Sequence, residues 1–216
     1  MTRAPRRIDP EHPLGGEMSD VAGGLFRRLQ LAYLLRHHSA VPVLAIFGFV
    51  NGCLSIGVMA VAALLTRAPF IFPSLGPTAF LFFYTPTAPP AAPRNAVLGH
   101  LVGATMGWTS LALCGLLDAG PALGTDLTWA RVVAAALSLG LTSGVMVLLR
   151  APHPPAGATT LIVSLGLLTR VWQLGVLMLA VALLTAQAFV INRLAGVPYP
   201  VWRPTADPAP APAPNA

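Results

Sequence analysis

Lysine is absent from this 216-residue chain and acids are scarce: seven Asp and Glu stand against thirteen basic residues, all arginine. Charged residues make up 9% of the sequence, where a soluble domain carries about 25%. That deficit excludes an ordinary soluble domain and makes a bilayer the expected solvent. The acids that exist lie off the apolar core: Asp9, Glu11, Glu17 and Asp20 at the start, Asp118 and Asp126 in one loop, and Asp207 near the end. No apolar span holds a carboxylate, which argues against a cation carrier, because such proteins place an acid at membrane depth. Cysteine is nearly missing as well. Cys53 and Cys114 both sit in apolar segments, so neither a disulfide framework nor a metal-ligand spacing is expected. The first forty residues have no early apolar core and do not read as a signal peptide. From residue 37 to 193 the arginines stand singly at segment ends instead of clustering on one face, so nucleic acid is not an expected partner.

What is present is hydrophobic, at 55% of residues. Four segments reach the roughly 20 apolar residues needed to span: 41–65, 95–117, 129–149 and 172–194. Two shorter apolar pieces, 70–84 ("FIFPSLGPTAFLFFY") and 153–168 ("HPPAGATTLIVSLGLL"), open on proline and glycine. Before the spans, residues 1–38 form a cytoplasmic leader. Within it, 20–38 reads either as a short amphipathic helix at the interface or as a plain linker. After them, residues 196–216 form a Pro/Ala tail expected to be disordered. The transmembrane domain is expected over 39–195.

The short pieces align at an offset of 81, so that Pro73 meets Pro154, Gly76 meets Gly157 and Thr78 meets Thr159. Their flanks agree, each being a long span, a broken short span and a long span. The expected fold is therefore an all-α membrane protein of two inverted three-segment repeats, about 39–117 and 129–195. With six crossings and the N-terminus inside, ten arginines fall on the cytoplasmic side. Only Arg67, Arg131 and Arg170 fall outside, which satisfies the positive-inside bias. Re-entrant short pieces would also leave both chain ends inside. Glycines recur every four positions at Gly48–Gly52, Gly99–Gly103–Gly107 and Gly140–Gly144. Such faces let helices approach closely in lipid, and a homo-oligomer through them is expected.

The broken segments are the candidate site. Non-helical backbone at depth is tolerated only where it is buried or lines a wet cavity, and matching interruptions in two halves point to a transporter's centre. Helices starting there would aim free N–H groups and positive dipole ends at the gap, which favours a small anion. The candidate binding residues are Pro73, Ser74, Gly76, Thr78, His153, Pro154, Pro155, Gly157, Thr159 and Thr160. Supporting or vestibule positions are Asn51, Arg94, Asn95, His100 and Arg150. His153 has two readings, as an anion donor or proton acceptor, or as a brace for the backbone that its prolines interrupt. For His100 a packing role is the leading one. No catalytic residue, metal or cofactor is expected, because no span pairs a nucleophile with a base and no cofactor motif occurs.

Three linked stretches, "RAPHPPAGATTLI", "FPSLGPTAFLFF" and "APRNAVLGHLVGATMG", resemble the HPP family of integral membrane proteins over roughly residues 35–195. The family takes its name from the run found here at His153, Pro154 and Pro155. Its Pro-Arg-Asn and Gly-His pattern corresponds to Pro93, Arg94, Asn95, Gly99 and His100. At Ser74 and Pro77 the chain departs from the family's Phe-Gly-Ala-type run. The resemblance implies four membrane helices, to which the count above adds two short ones. It also implies transport of nitrite or a similar anion, as linked to plastid and cyanobacterial relatives, in a bacterial inner membrane. Some bacterial members add a C-terminal pair of nucleotide-sensing CBS domains, and the Pro/Ala tail sets the expectation that this control is missing here. The alternatives are a non-transporting membrane protein that binds a partner or ligand, and a membrane enzyme built on His153.

Overall fold

The structure is a computed structural model that describes residues 30–124 and 127–205. Among the described residues there are seven α-helices and no strand: α1 (Leu31–His37), α2 (Ala40–Thr66), α3 (Leu75–Tyr84), α4 (Pro93–Leu113), α5 (Trp129–Leu148), α6 (Pro155–Ser164) and α7 (Val171–Leu194). Helices α2, α4, α5 and α7 are long and apolar enough to cross a membrane. They match the expected spans to within a few residues, and the chain is an integral membrane protein.

Local chemistry sets the boundaries. Pro93 and Pro155 open α4 and α6, where the missing N–H costs nothing. Helices α4, α6 and α7 end on glycines in the left-handed region, Gly115, Gly166 and Gly196. In each case the next amide turns back into the helix, from Leu116 to Leu111 O, Leu167 to Ile162 O and Val197 to Asn192 O. Helix α5 closes in the same way, with Ala151 N–H on Met146 O, but the left-handed residue is Arg150 at φ 48°. Helix α2 ends on a second left-handed arginine, Arg67 at φ 57°. Both arginines are followed by Ala-Pro, at Ala68–Pro69 and Ala151–Pro152. These are the two places where a long helix gives way to a short one.

Hydrogen bonds sort the helix ends into two groups. At one end of the bundle, Leu31 N–H reaches Ala195 O (2.9 Å) and Arg94 N–H reaches Trp202 O (2.9 Å). The Arg94 guanidinium caps the carbonyls of Leu149 (3.1 Å) and Arg150 (3.3 Å). The starts of α1 and α4 thus gather with the ends of α5 and α7. At the other end, Ala122 N–H meets Leu165 O (2.8 Å) and Trp108 Nε1 meets Thr169 O (3.0 Å). This joins the end of α4 to the end of α6 and the start of α7. Helix α3 runs toward the first group, where Asn192 Nδ2 donates to Phe82 O (2.9 Å). Ten residues make a helix of about 15 Å, half of a hydrocarbon core of about 30 Å, so α3 and α6 each start in the interior.

The short pieces are helical over only part of their length, as broken segments should be. Residues 70–74 lead into α3 as non-helical chain that buries Phe70 and Phe72, and His153 itself precedes α6. One expectation is corrected: a disordered tail does not begin at 196. Tyr199 is fully buried, its hydroxyl donates to Ala91 O (2.7 Å), and Trp202 holds α4's first turn. A Pro/Ala-rich stretch says little about a single tyrosine that finds a carbonyl to bond. Burial pushes the Tyr199 phenol well above its ordinary value, so it stays a donor. Residues 1–29, most of the proposed interfacial segment, and residues 206–216 lie outside the described residues. Inside them, α1 covers the end of that segment and buries Leu31.

The main apolar core collects Met59 from α2, Phe70 and Phe72 from the lead-in, Leu75, Phe82 and Phe83 from α3, and Leu177, Val181 and Leu184 from α7. Helix α4 packs most extensively on α6, then on α5. Its glycine face makes this possible. A Cβ at Gly99 would stand 2.7 Å from His153 Cβ, at Gly103 2.6 Å from Ala156 O, and at Gly107 2.7 Å from Thr160 O. Cβ atoms at Gly48, Gly52, Gly140 and Gly144 would meet nothing within 4 Å.

Candidate functional site

The α4–α6 contact presses the start of α6 against the middle of α4 and brings His100 to His153. Both rings are fully buried, with centroids 4.9 Å apart, and their Nε2 atoms lie 3.2 Å apart. His100 is clasped from both sides, by Thr159 Oγ1 at 2.7 Å from Nδ1 and by Thr78 Oγ1 at 2.9 Å from Nε2. These are the two threonines related by the offset of 81. Thr78 Oγ1 also lies 3.3 Å from His153 Nε2, and His153 Nδ1 is 2.8 Å from Pro90 O.

Partner chemistry fixes the protons. A carbonyl only accepts, so His153 carries its proton on Nδ1 and gives it to Pro90 O, which leaves a lone pair on Nε2. Thr78 donates its own proton to Ser74 O (2.9 Å). The hydrogen between the rings therefore belongs to His100 Nε2 and is shared between His153 Nε2 and Thr78 Oγ1. His100 Nδ1 then accepts from the Thr159 hydroxyl. Every nitrogen of the neutral pair is satisfied by this one arrangement.

Neighbouring groups hold it in place. Asn95, fully buried, donates through Nδ2 to Pro89 O (2.8 Å) and accepts from Arg94 Nη1 (3.1 Å). That bond and the one from Tyr199 to Ala91 fix the Pro89–Ala91 turn, and so the carbonyl on His153. Tyr199→Phe removes one of the two anchors and leaves a buried carbonyl without a partner. It should cost about 1–3 kcal/mol, read as a lowered unfolding midpoint in detergent.

The other expected site residues divide. Ser74 and Thr160 are buried and their hydroxyls have no hydrogen-bond partner among the described residues. Gly76, Pro77, Pro154 and Pro155 line a groove of about 560 Å³ between the starts of α3 and α6, and Pro73 lies exposed just before it. Gly157 faces Leu139 at ordinary contact distance (3.4 Å for an added Cβ). The expected free amides at α6 are not there. Pro154 and Pro155 have no N–H, and Ala156 and Gly157 donate to His153 O (3.0 Å) and Pro154 O (2.9 Å). Asn51 lies apart, bonded within α2 to Phe47 O (2.8 Å) and lining the cavity between α1 and α2. Arg94 serves as a cap for α5, and the Arg150 side chain is exposed.

The sequence reading placed His100 second to His153, whereas it is the centre of the cluster. The sequence held no signal that singled it out, because the glycine spacing beside it is the same as on the open faces of α2 and α5. The reading also missed Arg131. This residue, counted among the arginines of the outer side, is buried at the start of α5 with its guanidinium donating to Gly120 O, at the bundle end opposite Arg94. Arg170 pairs with Asp118 at 3.5 Å, both being exposed, so the pair adds little to stability.

An all-helical bundle with four long apolar helices, two half-length ones and a buried histidine–threonine centre defines a multi-pass membrane protein. The model of the family "HPP, transmembrane region" matches residues 37–200, and the chain belongs to that family. It is also similar to a transmembrane protein of Dictyostelium discoideum, 39% identical over 94 residues, which cover 43% of this chain and 27% of that protein. The chain thus spans about a quarter of the relative's length. No solved structure matches.

Proposed function

We propose that this chain carries a small inorganic anion across the membrane, with nitrite or a nitrate-like ion as the substrate, where the starts of α3 and α6 meet. The observation that carries this reading is the meeting of two half-length helix N-termini at a fully buried histidine–threonine cluster. Asp118 is the only carboxylate among the described residues, and it lies at a bundle end. Each helix start contributes a field equivalent to roughly half a positive charge. The unpartnered hydroxyl of Ser74 offers a donor that a bound anion would satisfy, whereas Thr160 Oγ1 faces Gly107 on α4. With the α6 amides already bonded internally, that helix contributes its dipole, not N–H groups. Nitrite is the choice that the family resemblance supplies.

The two halves are read as inverted repeats. The reading rests on Thr78 and Thr159 holding the same histidine, and on the paired Arg-Ala-Pro junctions. In the inner membrane, both termini would face the cytoplasm. Oligomers would use the open glycine faces of α2 and α5, since the α4 face is consumed within the chain. The chain is not proposed to be an enzyme.

A structure determined from crystals soaked in bromide tests the site. Anomalous density between residues 73–78 and 153–160 is the expected result. Bromide bound only elsewhere would overturn the assignment.

A further inference from the structure

We propose that His100 and His153 form a single proton-binding site that takes up one proton and not two, and that this proton travels with the anion. The second half rests on the transport reading above; the first does not. The site stands on geometry. In the neutral pair the one hydrogen between the rings is on His100 Nε2, facing the lone pair of His153 Nε2 across 3.2 Å. The vacant position is His100 Nδ1, which lies 2.7 Å from Thr159 Oγ1. A hydroxyl donates or accepts by turning about its C–O bond. One added proton can therefore sit on His100 Nδ1 once the Thr159 hydroxyl turns to accept it; His100 is that hydroxyl's one hydrogen-bond partner among the described residues, so its own hydrogen must find a new acceptor by a local adjustment of α6. The charged form is an imidazolium on His100 that donates through Nε2 to neutral His153, a charge-assisted bond stronger than the neutral one.

A second proton has no such place. It would have to sit on His153 Nε2, setting two N–H groups against each other at 3.2 Å and two cations in one buried site. His153 cannot make room by changing tautomer, because Pro90 O holds a hydrogen on its Nδ1. The two rings therefore titrate as a unit.

The surroundings leave the added charge without a counterion. Helices α3 and α6 carry no charged residue, α4 carries only Arg94, α5 only Arg131 and α7 only Arg193. Arg94 is turned to the α5 carbonyls, Arg131 to Gly120 O, and Arg193 stacks over the Phe189 ring. No carboxylate among the described residues faces the pair. A proton on it is thus matched best by an anion at the adjoining starts of α3 and α6, and an anion there by the proton. The balanced step is one proton and one monovalent anion entering from the same side and leaving on the other, with no net charge moved.

Two readouts on the full-length purified protein separate this inference from the transport reading. The first needs no transport: nitrogen NMR of histidine-labelled protein in detergent, titrated with acid, with His100 and His153 assigned through His100→Asn and His153→Asn. An asparagine amide overlays imidazole Nδ1, so His153→Asn keeps the bond to Pro90 O while deleting Nε2. The expected result is uptake of one proton per pair, lost in either variant. Two independent one-proton titrations, or no titration by either ring, would overturn the site. The second readout is simultaneous nitrite and proton uptake in proteoliposomes. One proton per nitrite, with flux unaffected by an imposed membrane potential, supports the coupling. Nitrite flux without protons would overturn the coupling while leaving the transport reading standing. A paired titration without any nitrite flux would overturn the transport reading alone.

Discussion

Replacing Gly103 by valine should abolish the folded protein. The Cβ alone would stand 2.6 Å from Ala156 O and 3.4 Å from Thr159 Cβ. The first of these atoms is backbone in the opening turn of α6, which cannot yield without moving the whole helix. Overpacking a core typically costs about 1–3 kcal/mol, occasionally more. Here the obstructing atom belongs to a helix start fixed by two prolines, so the cost should reach or exceed the top of that range. Alanine should already be damaging. The matched control is Gly140→Ala on α5, where an added Cβ meets nothing within 4 Å. There the glycine's helix penalty of about 1 kcal/mol is relieved, and stability should hold or rise. Thermal unfolding of both variants in the same detergent reads the contrast. Equal stability for Gly103→Val and wild type would mean that α4 and α6 do not touch along this face.

The second large effect concerns the threonines on His100. Thr78→Val and Thr159→Val keep the shape of the side chain and remove one hydroxyl each, so little cavity or clash follows. Each removes a hydrogen bond worth about 1 kcal/mol net and turns the imidazole off its axis. Anion flux in proteoliposomes should fall roughly fivefold in each single variant, as about 1.4 kcal/mol gives a factor of ten and about 1 kcal/mol a factor of five. The double variant should fall about thirtyfold. Thr159→Val should be the more damaging of the two, because it leaves His100 Nδ1 without a partner, whereas His100 Nε2 keeps its contact with His153 Nε2 after Thr78→Val. A large loss in Thr78→Val and none in Thr159→Val would contradict that order.

Much of the fold could be read in the sequence because lipid imposes a simple rule. A helix that crosses must be apolar for its full length, so 41–65 became Ala40–Thr66 and 172–194 became Val171–Leu194. The broken segments were found for the same reason, as places where proline and glycine violate that rule. What stayed hidden depends on which side of a helix faces another. His100 lies about two turns into α4, and nothing in the run "GHLVG" says whether that face meets lipid or α6. Gly99, Gly103 and Gly107 turned out to be the mould for α6, whereas similar pairs on α2 and α5 remain open. Spacing is identical in the two cases, and only the partner differs. Arg131 shows the limit of charge counting: a guanidinium that finds a loop carbonyl can be buried at a helix start, and a sidedness rule still counts it as an outer charge. The closure of the α6 amides was legible in principle. Pro154 and Pro155 remove two donors outright, and the next two reach back to His153 O and Pro154 O.

The measurement that bears most directly on the central claim is nitrite uptake by the purified wild-type protein in liposomes, set against protein-free vesicles of the same lipid. Saturable uptake above that background, reduced in the Thr78→Val, Thr159→Val double variant while its fold is retained, is the predicted result. Uptake no faster than through protein-free vesicles, with the protein shown to be folded and inserted, would contradict it.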